Sequence, residues 1–202
     1  ITVDLHGHGN NIKIPNDISI KQTAKLIAQE LREIELSNIT IVGHSLGGLI
    51  AIEIADENQK LIDRVVLIDV PTKQTGLTFF NSLFLKMLKR DFPMVVKEHY
   101  KKMTRNERLL EELLETALST DKNAYYLYIK NLFQADYSKK VKNLDAKIYL
   151  FLSSSLVEDK AKLTQKIRKY GYERIQEDRL YHYSETGHFL MVESADDFNR
   201  DL

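Results

Sequence analysis

The sequence predicts an α/β protein with a mostly parallel sheet and helices on both faces. Three observations carry this. Short, nearly continuous β-branched runs alternate with helical stretches over residues 1–71 and again over 144–202. Runs of that composition are strands buried on both faces, the mark of parallel sheet. From Thr72 to about Asn143 the alternation stops and the chain reads as helices only, a helical cap insertion. Finally, Gly43-His44-Ser45-Leu46-Gly47 fits G-x-S-x-G and joins a strand-like run to a helix-like run, the context in which that motif carries meaning. The expected organisation is a core over 1–71, a cap over 72–143 and the rest of the core over 144–202.

In order, Ile1–Leu5 reads as a short strand and His6-Gly7-His8-Gly9-Asn10-Asn11 as a glycine-rich loop. A metal is one reading of His6 and His8. No carboxylate-and-histidine spacing supports it, so a structural turn is expected and no metal. Residues Ser19–Leu36 form an amphipathic helix with Ile20, Ala24, Ile27, Leu31 and Ile34 on one face, capped by Asp17 or Ser19. Ile39–Val42 is a buried strand, and Gly48 to about Ala55 is a helix. Val65–Val70 is the next strand, closed by Pro71, with Asp69 at its carboxyl end, where sites of parallel sheets lie.

Within the cap, Phe79, Phe80, Leu83, Phe84, Met87 and Leu88 mark one helix. Leu109–Leu118 and Tyr125–Phe133 mark two more. Their aromatics pack within the cap and onto the core, or some line an apolar pocket. Lys147–Leu152 is a strand ending in Ser153-Ser154-Ser155, Lys160–Tyr170 a helix and Arg179–Tyr183 the last strand. A loop through Gly187 and His188 then leads into a terminal helix.

At 202 residues the chain suits one domain with an inserted subdomain. Lys+Arg and Asp+Glu both total 29, so no basic face is demanded. This speaks against nucleic acid and anionic membrane as main partners. Without cysteine there is no disulfide, thiolate metal site or cysteine nucleophile. No apolar run approaches a membrane span, and a cytoplasmic location is expected.

A serine hydroxyl needs a base within reach, and the base needs a group that holds its tautomer. Ser45 at the turn apex is the candidate nucleophile, with the Leu46 N–H as oxyanion donor at the helix start. Of six histidines, His44 adjoins the serine but points elsewhere if Ser45 holds the apex; His99 lies in the cap and His182 inside a strand. His188 follows the last strand and can reach back over the sheet edge, so it is the candidate base.

These segments resemble the α/β-hydrolase family over essentially the whole chain. Asp4-Leu5-His6-Gly7-His8-Gly9 resembles the loop after the family's fourth strand, and Gly43–Gly47 resembles its nucleophile elbow. Gly187-His188-Phe189 with Glu193 resembles its pattern after the eighth strand. The order nucleophile, acid, histidine also agrees. The resemblance implies a serine hydrolase with a helical cap after strand six. It would cleave a small-molecule carboxylic ester, thioester or amide through an acyl-enzyme, without cofactor.

The sequence departs from the family twice. Members usually carry the acid after strand seven in a Gly-x-x-Asp turn, whereas Ser153-Ser154-Ser155-Leu156 holds no carboxylate. Some esterases of this fold take the acid from the end of strand six, in a segment resembling Leu67-Ile68-Asp69-Val70-Pro71. On that reading Asp69 orients His188 and Ser155 is a polar helper. Glu158 and Asp159, at an expected helix start, are the alternative acids, and an Asp69 that merely caps a loop is the bland alternative. The chain also opens at what resembles strand four, so the N-terminal strands and one oxyanion donor are expected to lie in a larger protein. Loss of one such donor costs roughly 2.7–4 kcal/mol of transition-state stabilisation. The competing functions are C–C hydrolysis or lyase chemistry on the same scaffold, and a non-catalytic binding module.

Overall fold

The structure is a computed structural model and describes residues 1–15, 18–34 and 36–202. Its elements are α1 (Ile20–Glu33), β1 (Ile39–His44), α2 (Leu46–Glu57), β2 (Ile62–Ile68), α3 (Phe79–Arg90), α4 (Phe92–Tyr100), α5 (Glu107–Ser119), α6 (Lys122–Gln134), α7 (Ser138–Asn143), β3 (Lys147–Ser153), α8 (Leu163–Tyr170), β4 (Leu180–Tyr183), α9 (Leu190–Glu193) and α10 (Ala195–Asp201), with 3-10 turns at Lys160–Lys162 and Glu177–Arg179. The chain divides into two compact units. One comprises Ala24–Lys73 and Asp136–Leu202, the other Ile1–Thr23 and Gln74–Ala135.

The first unit holds the sheet, four strands in the order β1-β2-β3-β4. All three ladders are parallel. Val65, Val66, Leu67 and Ile68 are all buried, so β2 is covered on both faces. Val66 and Ile68 pack with Phe151, Leu190 and Phe198 on one face. Every residue of α2 from Gly48 to Ala55 is buried, as expected of a helix apolar all round. Its one charge there, Glu53, is matched by Lys140 of α7 at 2.9 Å, and Lys140 also reaches Asp56 at 2.7 Å.

Three local expectations change. Residues 1–5 have no regular secondary structure and form no ladder among the described residues. Strand propensity is local, whereas a strand exists only against a partner edge. β1 is not buried throughout: Thr40 and Val42 are exposed, Val42 by 54%. It ends the strand order, and alternate residues point to opposite faces, so one face is covered and the other open. α1 stops at Glu33 rather than Leu36, where Ile34 is 48% exposed and no burial sustains another turn. Its start is capped by Ser19, whose Oγ accepts the Gln22 N–H at 3.1 Å. Asp17 lies outside the described residues.

The second unit is helical, and its boundaries follow capping chemistry. Thr78, Asp91, Asn106 and Asp121 each accept an N–H from the first turn of α3, α4, α5 and α6. Its core joins Leu85, Leu88, Val95, Val96, Ala117 and Tyr125. Phe84 and Leu88 of α3 pack inward, whereas Phe79 and Phe80 are 76% and 78% exposed. In the 6–11 turn, His6 Nδ1 bonds to Lys13 O at 3.0 Å and His8 Nδ1 to His6 O at 3.1 Å.

Candidate active site

The site is built on the carboxyl ends of β1, β2 and β3 and on the loop after β4. β1 and β2 are in register to the pair His44↔Ile68. Ser45 comes next, and its N–H extends the ladder to Ile68 O at 3.0 Å. The chain then turns sharply, with Ser45 at φ 50°, ψ −118°, a conformation that costs a non-glycine residue of order 1–3 kcal/mol. The turn needs room at two glycines. A Cβ on Gly43 would sit 2.5 Å from Gly47 O, and one on Gly48 would strike Val70, while Gly47 has open space around it. The Ser45 side chain makes no cap bond to α2. Leu46 is the first residue of α2, where helix N–H groups have no partner within the helix.

Asp69 directly follows β2, also with positive φ (49°). It is 1% exposed and held on every side. Its N–H donates to Phe151 O at 2.8 Å, and its Oδ1 accepts the Ser153 N–H at 2.8 Å. Its Oδ2 lies 2.6 Å from His188 Nδ1. The segment after it is fixed as well: Tyr172 OH donates to Val70 O at 2.7 Å, and Thr72 Oγ1 to Tyr170 O at 2.5 Å.

The loop after β4 is pinned residue by residue. Ser154 Oγ donates to Thr186 O at 2.6 Å, and the Gly187 N–H donates to the Glu193 carboxylate. His44 Nε2 donates to His188 O at 2.8 Å, and the two imidazoles lie 4.5 Å apart. Burial, aided by His188 alongside, lowers His44 to a pKa of about 4, so at neutral pH it is an uncharged donor. The carboxylate at His188 Nδ1 draws the ring proton there and leaves Nε2 with its lone pair.

A model of the alpha/beta hydrolase fold matches residues 1–195. The chain belongs to the alpha/beta hydrolase fold family. An esterase from Exiguobacterium antarcticum superposes on it with a TM-score of 0.83 at 14% identity, covering 98% of this chain and 77% of the other, a likeness of fold. An uncharacterized protein of Mycobacterium tuberculosis is 36% identical over 81 residues, 39% of this chain and 24% of that protein. An sn-1-specific diacylglycerol lipase of Xenopus laevis is 30% identical over 93 residues, 43% of this chain and 29% of the lipase. The chain thus covers about a quarter of the first curated relatives it matches.

In this alpha/beta hydrolase chain, Asp69 and His188 are brought into direct contact, and Ser45 stands at the end of the neighbouring strand. Among the described residues the Ser45 hydroxyl makes no hydrogen bond. Bonds of that kind are often longer in ligand-free hydrolase sites. The alternative carboxylates do other things. Asp159 caps the Lys160–Lys162 turn through the Ala161 N–H at 2.9 Å, and Glu158, 85% exposed, lies 3.5 Å from Lys162. Ser155 bonds through its backbone N–H to Ser153 Oγ, while Ser153 N–H and Ser154 Oγ hold the acid and the histidine loop. Sequence reasoning missed the His44 bond: its acceptor is a backbone carbonyl, which leaves no residue-type signal. Among the described residues no group of three or more His, Asp or Glu could hold a metal ion.

Proposed function

We propose that this chain carries the catalytic centre of a serine hydrolase that cleaves a carboxylic ester, with thioesters and amides as related substrates. The supporting observation is the 2.6 Å contact between His188 and a buried Asp69 on the strand next to the elbow serine. In this reading Ser45 Oγ attacks the substrate carbonyl carbon as His188 Nε2 takes its proton. Asp69 holds Nδ1–H and stabilises the imidazolium. The Leu46 N–H donates to the oxyanion. Collapse of the tetrahedral intermediate breaks the ester C–O bond, and His188 returns the proton to the departing alcohol. Water then gives a proton to His188 as it adds to the acyl carbon; collapse breaks the bond to Ser45 Oγ, which takes that proton back from His188 as the acid leaves. Residues 72–143 are read as the cap insertion, and the lipase activity of the Xenopus relative is in keeping with an ester substrate.

The test is labelling by a fluorophosphonate probe. The wild-type chain should be labelled and Ser45→Ala should not. Equal labelling of the two would sink the proposal.

A further inference from the structure

Helix α3 has two apolar faces. Leu85 and Leu88 are buried in the core of the helical unit. On the other side Phe79, Phe80, Leu83 and Met87 are 76%, 78%, 43% and 42% exposed. At about 100° per residue these four span an arc of about 100°, opposite the buried pair. The Phe79 and Phe80 rings touch edge to face at 5.8 Å. Scattered exposed leucines need no explanation, but a contiguous outward face with two phenylalanines three-quarters exposed does.

The charges beside this face indicate its occupant. α3 carries Lys86, Lys89 and Arg90 and no acidic residue. Lys89 is turned over the Tyr126 ring at 4.3 Å. Lys86 lies just outside the apolar arc and Arg90, one turn on, at its C-terminal end within it, and neither has a carboxylate partner among the described residues. The following helix carries the exposed Met94 and Lys97, and its Glu98 is paired with Lys101 at 2.7 Å. A second copy is a poor fit, because a two-fold contact sets the same patch against itself and would bring Lys86 and Arg90 against like charges. Aromatic and aliphatic side chains flanked by long cationic ones suit the headgroup zone of a bilayer: the rings enter and the cations meet phosphates. The zero net charge of the chain hides this local bias.

We propose that α3 is a peripheral docking helix. It lies along an anionic lipid surface with Phe79, Phe80, Leu83 and Met87 inserted and Lys86 and Arg90 on lipid phosphates. This requires no spanning segment, and no helix among the described residues is long and apolar enough to cross a membrane. The inference stands apart from the chemistry of Ser45.

The experiment is co-sedimentation of the chain with vesicles of phosphatidylcholine alone or mixed with phosphatidylglycerol. The wild type should favour the anionic vesicles. Phe79→Ser with Phe80→Ser should lower partitioning at least about tenfold. Lys86→Gln with Arg90→Gln should lower it about fivefold per charge on anionic vesicles only. The chain has no tryptophan, so Phe79→Trp supplies a single reporter whose emission should shift to the blue on vesicle binding. Absence of vesicle binding, binding that survives both double variants, or a reporter that stays in water would each overturn the proposal. A soluble dimer dissociated by the same substitutions would overturn it in favour of self-association.

Discussion

His44 should make this fold sensitive to mild acid, by an amount that can be worked out. Its pKa is held at about 4, whereas an unfolded histidine titrates near 6.5. The folded state therefore binds fewer protons, so the stabilisation is complete above pH 6.5 and is lost as pH falls toward 4. Between pH 7 and pH 4.5 this one group should remove at most about 2.5 kcal/mol from the unfolding free energy. The variant to compare is His44→Gln, whose side-chain amide can still donate to His188 O but does not titrate. Urea unfolding followed by circular dichroism at the two pH values gives four free energies. Every other ionisable group is common to both proteins and largely cancels in the difference. The variant should lose about 2 kcal/mol less than the wild type over this interval. Equal losses would refute the reasoning, because burial would then not be what keeps His44 neutral against the opposing pull of its bond to the His188 carbonyl.

Other outcomes follow from the same geometry. Asp69→Asn should lower ester turnover by about 10⁴-fold in kcat, whereas Glu158→Gln and Asp159→Asn should stay within about twofold; a steady-state assay that reverses this order would reassign the acid. Lys140→Met leaves the 3%-exposed Glu53 side chain without its cation and should cost about 3 kcal/mol in urea unfolding. Gly43→Ala should destabilise by about 1–3 kcal/mol, because its Cβ meets backbone at 2.5 Å. Gly47→Ala, a helical position with open space, should be neutral or stabilising by up to about 1 kcal/mol, and thermal melts of the two variants compare them directly.

What could be read from the sequence followed how local its cause was. The elbow was legible because strand, tight turn and helix are all written within residues 39–57. The parallel sheet was legible from uninterrupted apolar runs such as Val65–Ile68. Asp69 drew notice through an absence, the missing carboxylate among Ser153–Ser155, and the structure sets its carboxylate against His188. Features that depend on distant partners were not legible. The β-branched Ile1–Val3 reads as strand, yet pairing depends on an edge that composition cannot report. The face of α3 left outward could not be told from a helix apolar on both sides. Buried Glu53 makes sense only once Lys140 of another helix is beside it.

The ladder pair His44↔Ile68 has a consequence for how this chain can vary. Ser45 and Asp69 are each the residue immediately after that pair, and Asp69 is tied onward to Phe151 and Ser153 of the next strand. The spacing between them is thus set by hydrogen-bonded backbone within the sheet unit. The whole stretch Gln74–Ala135, which leaves after β2 and returns before β3, is assigned to the other unit. Its helices can be lengthened, reshuffled or exchanged without shifting the register. A change of one residue within β1 or β2 would turn Ser45 or Asp69 to the opposite face of the sheet. The chain therefore separates a part whose length is free to change from a part in which single insertions are forbidden.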